Sequence, residues 1–395
     1  MITVFCCAGG STAFAAEKVT SRQAPYTTGG FPLAIKAKNN KDYYVTIVGQ
    51  TSPGHYSYLR PDNSLAPVTE QRSGTMSFRL SDTSKDGIRL PAHLEGGRIF
   101  VSDKALIMPP AQEDGRPSDT GYVQPDLNNP NDPNLNIRYD FFEFTFRDGH
   151  IAFGGNTTQV DGFSIPMTAE LKQESSGYDK TVGIKDTIST NQVIAEYKKD
   201  VTGPFLSLVN AAGTHITAPR SAAAFKPGGE AQNYFDTTVK QAWENWRGAN
   251  SFKMTDGDTV YVGSTKGDGT PLTFTKKDKD GQTVDTGTVN MPSSGDVAAC
   301  AGSLASGSDT DKFVEAHLCA AFNRGVALNS PDTWSDASTY YQPGTVFNQY
   351  AAFFHKISLD GLAYGFAYDD VHDKSSVMIL PNSEAPTSLT LAVGD

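Results

Sequence analysis

Two carboxylates in the stretch YDFFEFTFRDGHIAFGGNTTQVDGF, residues 139 to 163, stand in unlike company. Glu143 lies among phenylalanines, and Asp161 follows Thr158 and Gln159 and precedes Gly162. An apolar wall disfavours the charged form of a carboxyl group and suits it to donate a proton as a general acid. Polar neighbours keep a carboxylate ionised and suit it to act as a general base. One protonated and one ionised carboxyl is the combination that glycosidic hydrolysis requires. Read without chemistry, Glu143 would be an exposed strand residue and Asp161 part of a polar turn.

Strand alternation puts Phe142, Phe144 and Phe146 on one face, and Phe141, Glu143 and Thr145 on the other. Asp148-Gly149 is expected to make a two-residue hairpin turn, which would pair Glu143 near Gly154. Asp161 lies well beyond that point. The return strand is therefore expected to bend through Gly154-Gly155-Asn156 to bring it back, glycine making the bend cheap. Thr145, Asn156, Thr158 and Gln159 offer short hydroxyl and amide groups suited to sugar hydroxyls, or simply the polarity of a sheet edge. Asn156-Thr157-Thr158 is also a glycosylation sequon, and a glycan there would crowd such a site.

The surrounding chain is built to hold a hairpin of this kind. Of its 395 residues, 38% are hydrophobic and only 19% charged, with 22 Phe and 16 Tyr, so the aromatic mass supports a substantial core. Short β-branched and aromatic runs (FPLAIKAKN at 31 to 39, YYVTIVGQ at 43 to 50, TMSFRLS, GRIFVS, KALIM) are separated by Gly, Pro, Asp and Ser. That rhythm predicts antiparallel strands, with no helix before about residue 170. Residues 109 to 134 carry six prolines and read as a loop, either idle or at a cleft rim. Helices enter later. Phe235, Val239, Ala242, Trp243 and Trp246 recur at 3.6-residue spacing, as do Val314, Leu318 and Phe322. Hairpin-like runs lie between them, and residues 337 to 392 are read as strands again. A mainly β fold follows: a β-barrel or sandwich domain over 24–170 plus 336–392, with an inserted mixed α/β domain over 171–335.

Charge and cysteines narrow the function class. A net charge of −11 with no long basic cluster argues against nucleic acid, and a neutral glycan meets no such penalty. Residues 1–16 read as a truncated signal peptide, lacking a basic start and ending in Ala13-Phe14-Ala15, with a disordered leader as the alternative; the first reading predicts a secreted, extracellular protein. No later stretch is apolar enough to span a membrane. Cys6 and Cys7 fall in the leader. Cys300 and Cys319 fit a disulfide better than a zinc site, two buried free thiols being the alternative. The seven histidines show no ligand spacing and no phosphate-binding loop is present, so neither metal nor cofactor is expected.

Four motifs in order, FFEFTF, NTTQVDGFS, LCAAFNR and GLAYGFAYDD, resemble glycoside hydrolase family 64, over about residues 30 to 390. These are endo-β-1,3-glucanases that release laminaripentaose and share a barrel with thaumatin-like proteins. The resemblance implies Glu143 as general acid and Asp161 as general base of an inverting reaction on β-1,3-glucan (laminarin, curdlan or cell-wall glucan). It implies a thaumatin-like barrel with an open groove, a Cys300–Cys319 disulfide, and Asp369 and Asp370 on the acidic side of the cleft. The family tends to carry a tryptophan on the return strand, where this chain has Phe153, the expected stacking residue. A monomer is expected. The alternative is a thaumatin-like glucan-binding protein with little or no hydrolysis.

Overall fold

The computed structural model describes residues 30 to 394, apart from 39, 40, 72, 73, 130, 186 and 250; the expected leader with Cys6 and Cys7 lies outside these. Two open sheets carry the aromatic hairpin. The larger has eight strands. From one edge it runs Val377–Ile379, Ile151–Thr157, Tyr139–Arg147, His93–Ser102, Tyr44–Ser52, His55–Leu59 and Leu65–Pro67, with Phe78–Arg79 also paired to Tyr44–Ser52. The five-stranded sheet runs Tyr178–Gly183, Met167–Gln173, Ser388–Val393, Phe31–Ala37 and Ile88–Leu90. Its pairings are antiparallel except that Phe31–Ala37 runs parallel to Ser388–Val393.

The expected barrel does not form, because neither sheet closes on itself or on the other. Each sheet instead turns one apolar face inward. Phe142, Phe144 and Phe146 from the larger sheet share one core with Leu33, Leu171 and Leu389 from the smaller. Face-to-face packing of this sort buries both inner faces without joining the edges. The outer face of the larger sheet is also covered. Val48, Phe100, Met108 and Phe141 form a second core there, with Tyr56, Tyr122 and Tyr139 packed against it.

A third core gathers the helices around the tryptophans Trp243, Trp246 and Trp334 and the buried side of Asp309–Arg324. Against it lies an antiparallel meander of Phe252–Asp256, Thr259–Ser264, Leu272–Lys277 and Thr283–Val289. Helix starts are locally encoded: Ser189, Ser293 and Ser308 each make a reciprocal capping box with the third helical residue. Cys300 and Cys319 form a disulfide with Cα atoms 5.7 Å apart, tying Ser294–Ala299 to Asp309–Arg324.

Three local expectations are corrected. Residues 109 to 134 are not all loop: Pro110–Glu113 and Arg116–Tyr122 form a hairpin turning at Asp114-Gly115. The run QYAAFFHKI is a helix, Gln349–Ile357, capped by the Asn348 side chain, with Tyr350, Phe353 and Phe354 entering the helical core. GLAYGFAYDD is not a strand either. Tyr368 takes a left-handed φ of 67°, and the Asp369 carboxylate folds back to accept the Gly365 N–H at 2.9 Å.

Candidate active site

Strand Tyr139–Arg147 has the expected alternation, with Phe142, Phe144 and Phe146 buried between the sheets and Glu143 partly exposed on the opposite face. Its register with Ile151–Thr157 differs from expectation. Glu143 pairs with Asn156 rather than near Gly154. The connection holds three residues, with Gly149 at φ 69°, and a bulge between Thr145 and Arg147 shifts the pairing further. Gly154 and Gly155 do not bend the strand. Gly155 is there for close approach, since a Cβ would lie 2.6 Å from the Phe142 ring and 2.7 Å from the Glu143 carbonyl oxygen. The chain leaves the sheet after Thr157, and Thr158 Oγ1 accepts the Val160 N–H at 3.2 Å to start the turn toward Asp161.

Glu143 faces a guanidinium as well as an aromatic wall. Arg98, its cross-strand partner on His93–Ser102, donates from Nε at 2.9 Å and brings Nη2 to 2.6 Å, both to Oε1. The Arg98 guanidinium lies 4.9 Å from the centre of the Phe141 ring, and its Nη1 donates to Gln124 Oε1. Tyr122, at the end of the proline-rich hairpin, lies near the same cation, which opposes the upward shift that burial gives its phenol. Burial works against the charge of Arg98, but the negative charges of Glu143 and Asp161 oppose that and hold the group above its ordinary range. Glu143 therefore sits directly against a buried cation.

Asp161 is set differently. Its side chain is half exposed, and Arg220 Nη1 comes to 3.6 Å of Oδ1. Its carbonyl oxygen accepts the Ala218 N–H, and the next two residues pair with Ile216–Thr217. Asp161 thus sits at the seam between the sheets and the helical part. A carboxyl beside an aromatic wall and a second, more hydrated carboxylate have the chemistry to protonate a leaving oxygen and to activate water.

The other expected residues divide. Thr145 Oγ1 accepts the Gly96 N–H at 3.0 Å. Asn156, Thr158 and Gln159 are buried. Asn156 is the residue paired to Glu143, and at 2% exposure its amide has no room for a glycan. Gln159 is fixed by its backbone, donating to the Tyr364 carbonyl and accepting the Tyr350 hydroxyl at 2.6 Å. Phe153 is completely buried between the sheets. It stacks on Phe142 and Phe144 and meets Phe31 edge-on, so it cannot serve as the expected platform for a sugar ring. Asp369 is not a cleft acid: it is buried with Arg324 and His355. Asp370 is half-buried and accepts the Tyr364 hydroxyl at 3.2 Å; burial, opposed by that bond, raises its pKa. Among the described residues no group of His, Cys, Asp and Glu is arranged to hold a metal ion.

Arg98, Tyr122 and Gln124 were not anticipated. Arg98 was within reach of the strand pattern, because GRIFVS is a predicted strand and its arginine is the residue facing Glu143 once the two strands are neighbours. Tyr122 and Gln124 were hidden in a segment read as loop.

An open sheet sandwich beside a helical unit, with a candidate acid on a strand and a hydrated carboxylate at the seam, has the residue types that glycan hydrolysis uses. The family model described as β-1,3-glucanase, glycoside hydrolase family 64, matches residues 31–393, and the chain belongs to that family. It is 28% identical over 305 residues to a glucan endo-1,3-β-glucosidase of an Arthrobacter species, covering 75% of this chain and 52% of that relative. The chain thus spans about half the length of the curated relatives it matches. Its fold is similar to a β-1,3-glucanase domain from Clostridium beijerinckii, with a TM-score of 0.77, 25% identity, and 94% and 100% of the two chains covered. It is also similar to a laminaripentaose-producing β-1,3-glucanase from Paenibacillus barengoltzii complexed with laminarihexaose. There the TM-score is 0.68 and the identity 27%, over 94% of this chain and 76% of that one.

Proposed function

We propose that this chain is a secreted endo-β-1,3-glucanase that hydrolyses internal β-1,3-glucosidic bonds with inversion and releases laminaripentaose. Glu143 is the acid and Asp161 the base. The observation that carries this reading is the unlike setting of the two carboxyls: Glu143 is held by the buried Arg98, and Asp161 stands half exposed at the seam. Family membership supports the substrate class, and the Paenibacillus barengoltzii relative supports the product length.

In this reading glucan lies along the seam, with the sheet sandwich on one side and the helical unit on the other. These are two domains, although the helical core takes in Tyr350, Phe354 and Phe366, beyond the expected boundary at 335. Glu143 donates its proton to the leaving glycosidic oxygen. Arg98 then stabilises the carboxylate that forms, which lowers the barrier to proton transfer. Asp161 takes a proton from water as that water attacks the anomeric carbon from the opposite face, giving the α-anomer. Thr145 and the half-exposed Asp370 are the expected side chains proposed here to meet sugar hydroxyls; Asn156, Thr158 and Gln159, being buried, are not.

Digestion of linear β-1,3-glucan by the unaltered chain, Glu143→Gln and Asp161→Asn tests this. Pentasaccharide released first as the α-anomer, and lost in both variants, is the expected result. A β-anomer would exclude Asp161 acting through water, and full activity in Glu143→Gln would exclude it as the acid. Glucan bound without turnover by the unaltered chain would mark a binding protein instead.

A further inference from the structure

Asp140 stands on the strand that carries Glu143 but points to the opposite face, and the mechanism above leaves it unused. It is buried, and its Oδ2 accepts the backbone N–H groups of both Ser164 (2.7 Å) and Ile165 (2.5 Å). Those residues immediately follow the Asp161-Gly162-Phe163 segment. The segment is pinned at other points by the helical side. Gln159 is held by Tyr350 and Tyr364, the Asp161 carbonyl by Ala218 N–H, and the Ser164 carbonyl by Thr190 Oγ1 at 2.7 Å. Asp140 is the tie that comes from the strand bearing Glu143. One strand therefore aims the first carboxyl with one face and grips the backbone behind the second with the other.

We propose that Asp140 is a positioning residue that sets where Asp161 stands relative to Glu143, by holding the Ser164 and Ile165 N–H groups. The proposal rests on the reading of Glu143 and Asp161 as acid and base. An inverting pair must keep room for one water between the base and the anomeric carbon, so the separation of the two carboxyls is itself part of the catalytic geometry. Misplacement of a reacting group by about 1 Å costs up to about 100-fold in rate. Burial pushes Asp140 up to about 8, against the pull of the two N–H donors, so burial favours a neutral group at this position. Asparagine, which keeps one acceptor oxygen in a neutral group of the same shape, is then a close substitute.

The test compares Asp140→Ala and Asp140→Asn in the unaltered and the Asp161→Asn backgrounds, measuring kcat and KM on linear β-1,3-glucan alongside Tm. Asp140→Ala is expected to lower kcat about 10- to 100-fold with KM within about twofold, and Asp140→Asn to recover most of that loss. In the Asp161→Asn background, where residual turnover is read at high enzyme concentration over long incubation, adding Asp140→Ala is expected to cost nothing further, because a base that is already absent cannot be misplaced. Equal losses in both backgrounds, or an undiminished kcat in Asp140→Ala, would overturn the proposal. Should Asp140→Ala fail to fold, Thr190→Val loosens the same segment from its other side, and the same background dependence at smaller amplitude is required. Turnover by Asp161→Asn alone at the rate of the unaltered chain would instead refute the underlying pair, an outcome distinct from either result above.

Discussion

Replacing Asp369 should unsettle the fold and leave glucan affinity nearly unchanged. Its side chain is fully buried, and both oxygens are engaged. Oδ1 meets Arg324 Nη2 at 3.2 Å, while Oδ2 accepts His355 Nε2 and the Gly365 N–H, each at 2.9 Å. Arg324 is equally buried; its Nη1 donates to the Val371 carbonyl and the Tyr340 hydroxyl, and its Nη2 also to the Asp369 carbonyl. Asp369→Ala leaves that guanidinium without its anion in a water-free site, at a cost of about 3–5 kcal/mol. An unfolding entropy of ~2.1 cal/mol/K per residue over 395 residues gives ~0.8 kcal/mol/K, so Tm should fall by about 4–6 °C if unfolding is one transition. Calorimetry of the variant with glucan KM measured below the transition is the assay. A Tm within about 1 °C of the parent together with a several-fold rise in KM would refute the reasoning and return Asp369 to the cleft.

The same cluster predicts a pH effect. His355 Nδ1 faces the Gly361 carbonyl at 2.7 Å while Nε2 faces Asp369, so both nitrogens must donate and the ring is an imidazolium. Burial opposes that charge, but Asp369 and the two hydrogen bonds prevail, and the pKa is raised above 6.5. The stability it contributes is full below the unfolded value of about 6.5 and is lost as pH rises through the higher folded value. His355→Gln should therefore lower Tm more at pH 5.5 than at pH 9, and an equal loss at both would count against it. Reduction of Cys300–Cys319, separated by 19 positions, should cost about 3 kcal/mol through the freed unfolded chain, seen as a lower denaturant midpoint in Cys300→Ser. Arg98→Met should lower kcat about 10- to 1000-fold, as for loss of one charge-stabilising donor; kcat within twofold of the parent would remove Arg98 from the mechanism.

Much of the hairpin was legible because alternation is a property of the strand itself: Phe142, Phe144 and Phe146 could only share a face. Register was not, because it depends on the three-residue connection and on a bulge that adds a residue without leaving a mark in the pattern. Period-2 reading also failed at QYAAFFHKI, where closely spaced aromatics satisfy a strand as well as a helix. The Asn348 side chain, accepting the Ala351 N–H, was the local sign of a helix start. The acid strand was identified by its glutamate, but the cation opposite it required knowing which strand lies alongside. Asp369 was misjudged for a related reason. A pair of acids ending an aromatic run looks the same whether it meets water or an arginine brought from a helix far away in sequence.

The parallel pairing of Phe31–Ala37 with Ser388–Val393 has a kinetic consequence. Ser388–Val393 is the middle strand of its sheet, between Met167–Gln173 and Phe31–Ala37. During synthesis, both neighbours must therefore wait with exposed edges until nearly all the matched region has been made. Contacts this distant in sequence slow folding and prolong exposure to aggregation. The helical core and its meander, whose contacts are more local, can form in that interval, and the sheet sandwich can close last around a unit already built.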